Sequence, residues 1–421
     1  MSKQLTIFFL FISYFSFAQQ ESDWKKSAFT ITPEFLLGET MESNDGFPDT
    51  KLQKQIVLNI GRYHTNNPQE WAQRLKGPKT GLTLGVTDFG NLDSLGIAIT
   101  AMPFIEFKAF KSERWKVLSG LGASYFTKKF DSETNPQNRA VTTDITWAFR
   151  TYIYYHFLTS KNIDWRVGLG YSHHSNGHTR LVNQGYNSFL VGLSADIKNP
   201  FNRQEITAPE SILKFNKSIY SYYAIRGGIG VNTFAIAFND KRNVYTLAGE
   251  YGRVYNNTFK IGIGFYYRFY QHYYDYIKGN ESLVQDGREF SNFKSNPWYY
   301  ASNLGVSIHG EIFLNHIGID LQVGYNFHKP AYAIDWRINE GWVNAPREIY
   351  EGWMLGDLNS TYKKKQRIAT RLGIKYYLIG MKNSPKNNFY VGAHLNANFG
   401  QADFSELSFG YVHSFNFRER N

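Results

Sequence analysis

No cysteine occurs in this chain. That excludes disulfides and thiolate chemistry, and leaves histidine and carboxylates as the strong metal ligands. Beyond Phe17 there is also no apolar run near the ~20 residues that a membrane helix needs, so the remainder cannot cross a bilayer as helices. Mean hydropathy is only −0.42. Against that polarity stand 34 Phe, 30 Tyr and 36 Gly in 421 residues. A soluble domain of this length seldom needs so many aromatics, whereas a transmembrane β-barrel uses them in interfacial girdles and keeps Gly and polar residues inside.

The order of residues agrees with a barrel. Trp147, Phe149, Thr151, Ile153, Tyr155 and Phe157 alternate with Arg150, Tyr152, Tyr154 and His156. The same period of two sets Phe259, Ile261, Ile263, Phe265, Tyr267 and Phe269 against Lys260, Gly262, Gly264 and Arg268. It also sets Ile317, Ile319, Leu321, Val323, Tyr325 and Phe327 against Gly318, Asp320, Gln322, Gly324 and Asn326. Successive strand side chains point to opposite faces, so charges keep to one face. Segments of this kind, each near the ~9–11 residues of a tilted membrane strand, predict an all-β antiparallel transmembrane barrel of about 14 strands, within about 12 to 16.

Residues 1–18 read as a secretory signal peptide, with Lys3 before an apolar run from Leu5 to Phe17 and small residues at Ser16 and Ala18. Residues 19–421 are then expected to form one barrel. The stretch 198–215, with Pro200 and Pro209, interrupts the alternation; it reads as an inserted rim or lumen segment, with a boundary between two barrels as the alternative. Long polar connections through Tyr276 to Pro297 and Asn339 to Gln366 are expected outside the cell, because outer-membrane barrels pair long outer loops with short inner turns. The cluster Lys363, Lys364, Lys365 and Arg367 reads as a solvated rim, or as a surface for the phosphates of anionic lipid. Arg150, Arg166 and Arg268 on the polar faces fit either a packed lumen or the lining of a pore. Nucleic acid is not an expected partner.

The hairpin 163–197 carries the candidate chemistry. Ile163, Trp165, Val167, Leu169 and Tyr171 share a face with His173 and Ser175; Phe189, Val191, Leu193, Ala195 and Ile197 share one with Asn187. A hydroxyl, an imidazole and an amide thus fall on one otherwise apolar surface near the outer rim. Paired strands bring such residues within side-chain reach, as a nucleophile, its base and the group that orients the base. HHSNGH also reads as a solvated turn, or as a metal site from His173, His174 and His178.

The run His173-His174-Ser175-Asn176-Gly177, followed by Asn183-Gln184-Gly185-Tyr186-Asn187, resembles the H-x-S-N-G and N-x-G-x-E/N pattern of outer-membrane lipid A 3-O-deacylases of the PagL type. GLTLGVTDFGNLDSLGIAITAMPFIEF and the pair Asn135 and Asn138 are similar to that family, and RLGIKYYL and ADFSELSFGY to its longer members, the acyloxyacyl hydrolases. The resemblance implies a serine ester hydrolase of the bacterial outer membrane that removes an acyl chain from lipid A of lipopolysaccharide in the outer leaflet. It makes Ser175 the nucleophile and His173 the base, with Asn176, Gly177 and Asn183 around the oxyanion and no cofactor. Asn187 stands where the best-known form of these deacylases has Glu; its amide can still accept from the imidazole but supplies no charge.

Outer-membrane phospholipase A carries a similar H-x-S-N-G with an Asn twelve residues beyond the Ser, the spacing from Ser175 to Asn187, and implies calcium. Its Trp-rich segment is missing here, and His178 replaces the Arg that helps bind calcium. The deacylase is therefore the preferred reading, with the phospholipase and a non-enzymatic porin or adhesin as alternatives.

Overall fold

The computed structural model describes residues 28–160, 162–198, 215–339 and 360–420. The expected signal peptide, and nearly all of 198–215, lie outside them. Strands β1 (Phe29–Met41), β2 (Gln53–Tyr63), β3 (Lys79–Asp88), β4 (Ile97–Lys108), β5 (Trp115–Phe126), β6 (Ile145–Thr159), β7 (Ile163–Ser175) and β8 (Tyr186–Lys198) form one closed barrel. Strands β9 (Lys217–Asn232), β10 (Arg242–Tyr255), β11 (Phe259–Tyr270), β12 (Ser302–Leu314), β13 (Ile317–His328), β14 (Ile368–Tyr377), β15 (Asn387–Asn398) and β16 (Gln401–Arg420) form a second. All neighbours are antiparallel, and closure comes from β1 on β8 and β16 on β9.

The expected single barrel of about fourteen strands is therefore corrected to two barrels of eight. Alternation identifies a strand and its faces, but a strand's outward pattern is the same whether its second neighbour is the next segment or the first one returning. The chain changes barrel between Lys198 and Lys217, where the Pro-containing stretch interrupts the pattern.

Each wall has its apolar face outward. Val167, Leu169, Val191 and Leu193 are exposed, whereas Asp164, Arg166, Ser172, Ser194 and Asp196 are buried. This is the reverse of a soluble sandwich and the arrangement of a lipid-facing barrel. Both lumens are packed with paired charge, which decides between the two readings of the polar-face arginines. Glu34 accepts from Arg150 at 2.8 Å and Arg166 at 2.9 Å, and Arg166 also donates to Glu106 at 2.7 Å. In the second barrel Arg371 bridges Glu406 and Asp320, both at 2.7 Å, while Lys375 bridges Glu311 and Asp320. Arg268 is buried against the Tyr266 ring and donates to Asn396. These are filled interiors, not open water lined by cations.

Short helices decorate the ends: α1 (Glu70–Arg74) between β2 and β3, and α2 (Gln271–Lys278), α3 (Pro297–Tyr300), α4 (Tyr332–Asn339) and α5 (Ser360–Arg367) at the opposite end. The last four cap the second barrel through an aromatic cluster that includes Phe234, Tyr270, Tyr273, Tyr276, Trp336 and Tyr362. The basic cluster lies on α5, where Lys365 sits over Trp336 and Arg367 over Tyr325.

The barrels lie side by side. Trp147 Nε1 donates to Ser405 Oγ at 2.9 Å at the capped end, and Asn257 Nδ2 donates to Glu70 Oε2 at 3.0 Å at the other.

Candidate active site

β7 and β8 meet in the expected register, and His173 lies directly opposite Asn187. His173 Nδ1 and Asn187 Oδ1 are 2.8 Å apart. An amide oxygen only accepts, so Nδ1 carries the proton and Nε2 is left with its lone pair. Tyr171, two residues before His173 and on the same face, donates its hydroxyl to the same Oδ1 at 2.5 Å. Asn187 is thereby held from two sides in the orientation that fixes the imidazole. Ser175 follows on this face, opposite Trp147 of β6.

Two donors converge on the serine. The Gly177 backbone N–H and the Asn183 side-chain Nδ2 each lie 3.2 Å from Ser175 Oγ. Asn183 is itself fixed, since its Oδ1 accepts the Asn176 backbone N–H at 2.9 Å. The Asn176 side chain points elsewhere, donating to the Arg180 carbonyl at 2.7 Å and accepting from Thr179 N. Of the three residues expected around the oxyanion, Gly177 and Asn183 therefore meet Ser175 directly, and Asn176 shapes the loop. No hydrogen bond joins His173 to Ser175 among the described residues. Residues two apart on one strand face have Cα atoms about 6.8 Å apart, and such catalytic contacts commonly tighten only around substrate.

Two glycines make the turn possible. Gly177 has φ +66°, and a Cβ there would meet Ser405 Oγ at 2.3 Å and Leu395 Cδ1 at 2.9 Å from the second barrel. Gly185 has φ +75°, and a Cβ there would meet His173 Cε1 at 3.0 Å. Both positions need left-handed backbone and a close approach, which glycine alone allows without strain.

His174 points the other way, into the barrel, where its ring lies edge-on to Phe89 and Phe126. The three histidines of the motif thus do not form a common ligand set. Asn135 and Asn138 also serve structure: both donate to the Ser94 carbonyl, and Asn138 Oδ1 accepts from Tyr186. Among the described residues, His309, Glu311 and Asp320 in the second lumen lie close enough for a metal, but Lys375 bonds both carboxylates and Lys260 bonds Glu311. Those ammonium groups already supply the positive charge.

Sequence reasoning missed what the second barrel brings. Thr233 N donates to the His178 carbonyl at 3.0 Å. Asn239 brackets Leu181, accepting its N–H at 2.8 Å and donating to its carbonyl at 2.5 Å. Nothing in the local pattern ties these residues to a loop some 55 positions upstream. Tyr171 could have been found, since it shares the face and parity of His173.

No curated protein matches the chain. Among solved structures, the outer membrane enzyme PagL is 14% identical with a TM-score of 0.29, covering 39% of this chain and 97% of that one. A de novo designed transmembrane β-barrel is 12% identical with a TM-score of 0.22, covering 40% and 95%. An outer membrane channel from Pseudomonas putida F1 is 9% identical with a TM-score of 0.18, covering 94% and 100%. Residues 47–196, which hold most of the first barrel and His173, Ser175, Asn176, Gly177, Asn183 and Asn187, match the family model of lipid A 3-O-deacylase (PagL).

Proposed function

We propose that the protein is an outer-membrane serine ester hydrolase that removes an acyl chain from lipid A. The observation that carries this reading is the fixed imidazole: Asn187 holds the Nδ1 proton of His173, which leaves Nε2 as a base on the same outward face as Ser175. The family match over the same residues supports it.

In the proposed reaction the glycolipid stays in the outer leaflet and presents its ester at the rim. His173 Nε2 takes the Ser175 proton as Oγ attacks the carbonyl carbon. The oxyanion accepts from Gly177 N–H and Asn183 Nδ2, the two donors already aimed at Oγ. One such donor is worth roughly two to three orders of magnitude in rate. The intermediate then expels the sugar alkoxide, which takes its proton from His173. Water, activated by the same imidazole, hydrolyses the acyl-enzyme and releases a fatty acid. These steps call on side chains of this chain and no cofactor.

The test is mass spectrometry of lipid A and phospholipids from outer membranes carrying the wild type or Ser175→Ala at equal abundance. Loss of one acyl mass from lipid A in the wild type alone is the expected result. Lysophospholipid in its place assigns the phospholipase reaction. Identical lipids in both membranes, with the barrels inserted, overturn ester hydrolysis of either lipid and leave the adhesin reading.

A further inference from the structure

The face on which Ser175 lies is only half of a cleft. Across from Trp147 stands the outer wall of the second barrel, and below the Trp147–Ser405 hydrogen bond that wall forms an open groove of about 1230 Å³. Its lining is apolar, with Ile229 on β9, Val391 on β15, and Leu407 and Phe409 on β16, while Gly227 leaves a trough between side chains. From Ser405 down to Phe409 the wall runs about 14 Å along the strand at ~3.4 Å per residue. That is close to the ~15 Å of one leaflet in a ~30 Å hydrocarbon core. The groove thus starts at Trp147, whose position on β6 pairs with Ser175 on β7, and follows the wall into the depth of one leaflet.

We propose that the second barrel is the acyl-binding half of the site: a saturated acyl chain of the substrate lies between the barrels against β9, β15 and β16, with its ester carbonyl at Ser175. This rests on the assignment of Ser175 as nucleophile. A single barrel offers an acyl chain one convex wall; here a second wall approaches it at Trp147, so chain length and branching are read by residues more than 50 positions from the serine, on β9, β15 and β16.

Gly227 provides a clean test, because a Cβ built there meets nothing within 4 Å. Gly227→Trp fills the groove without touching the protein interior. Gly249 on β10 is equally open but lines no part of the groove, so Gly249→Trp is the matched control. The purified full chain in detergent is assayed with p-nitrophenyl esters of butyrate and myristate, and folding is checked by heat-modifiable gel mobility. The expected result is a loss of about tenfold or more in the myristate-to-butyrate rate ratio for Gly227→Trp, and an unchanged ratio for Gly249→Trp, since one or two methylenes in a fitted apolar site discriminate by that order. If Gly227→Trp fails to fold, Leu407→Ala, at a side chain 71% exposed on the groove wall, is expected to lower the same ratio severalfold. An unchanged ratio in the folded groove variant, with Ser175→Ala inactive, overturns the acyl groove and leaves the serine hydrolase standing. Equal rates for the wild type and Ser175→Ala overturn both.

Discussion

His173 and Asn187 face each other as a directly opposed pair on β7 and β8, with Nδ1 and Oδ1 2.8 Å apart. A neutral amide orients the ring as a carboxylate would, yet brings no negative charge to an imidazolium forming beside it. Asn187→Ala is therefore expected to lower kcat by about 10²-fold with little change in KM, within the usual contribution of a positioned general base. Asn187→Glu should retain activity. Initial rates on extracted lipopolysaccharide check both; a fully active Asn187→Ala removes the orienting role.

Asn183 reaches Ser175 Oγ through its side chain, and Gly177 does so through its backbone. Only the first can be deleted by mutation. Asn183→Ala should reduce kcat about 10²- to 10³-fold. Asn176→Ala, whose side chain serves the loop, should instead act through stability of the loop, with a smaller loss in kcat.

Activity should decline as pH falls, because only the unprotonated Nε2 can accept the serine proton. The rate therefore carries an acid limb set by protonation of this imidazole. A rate that stays flat down to pH 4 excludes His173 as the base. The same assay with a chelator should show no loss for the deacylase, whereas a calcium-dependent phospholipase would lose activity.

Asn239 holds Leu181 at both its N–H and its carbonyl from the second barrel. Asn239→Ala removes two hydrogen bonds of about 1 kcal/mol each. The expected result is a kcat lowered by roughly fivefold to thirtyfold, unchanged KM, and faster amide hydrogen exchange confined to residues 176–185. A uniform loss of stability without a kcat effect would give Asn239 a purely structural role.

Glu34 is the shared acceptor of Arg150 and Arg166 in the first lumen. Glu34→Ala leaves buried guanidinium charge without this partner, a change that costs about 3–5 kcal/mol. Unfolding in denaturant should register that loss while the face bearing His173 and Ser175, on the other side of the wall, keeps its register.

Wall orientation was legible because parity is a local property: Trp165, Val167 and Leu169 face out and Asp164 and Arg166 face in, as their alternation requires. The same parity set His173, Ser175 and Asn187 on one face and paired His173 with Asn187, since one strand and its hairpin partner are enough to specify that much. Barrel closure was not legible. It depends on β1 meeting β8 and β9 meeting β16, contacts between segments far apart in sequence that carry no distinguishing local pattern. Ser405 and Asn239 were hidden for the same reason, since their importance lies in a second wall whose position no spacing encodes.

The filled lumens have a consequence for the cell that carries this protein. Two ladders that each close on themselves, with Arg166 and Arg371 tied to carboxylates at their centres, add wall to the membrane without adding a passage through it. A pair of barrels filled in this way occupies membrane area while leaving the barrier to solutes in place.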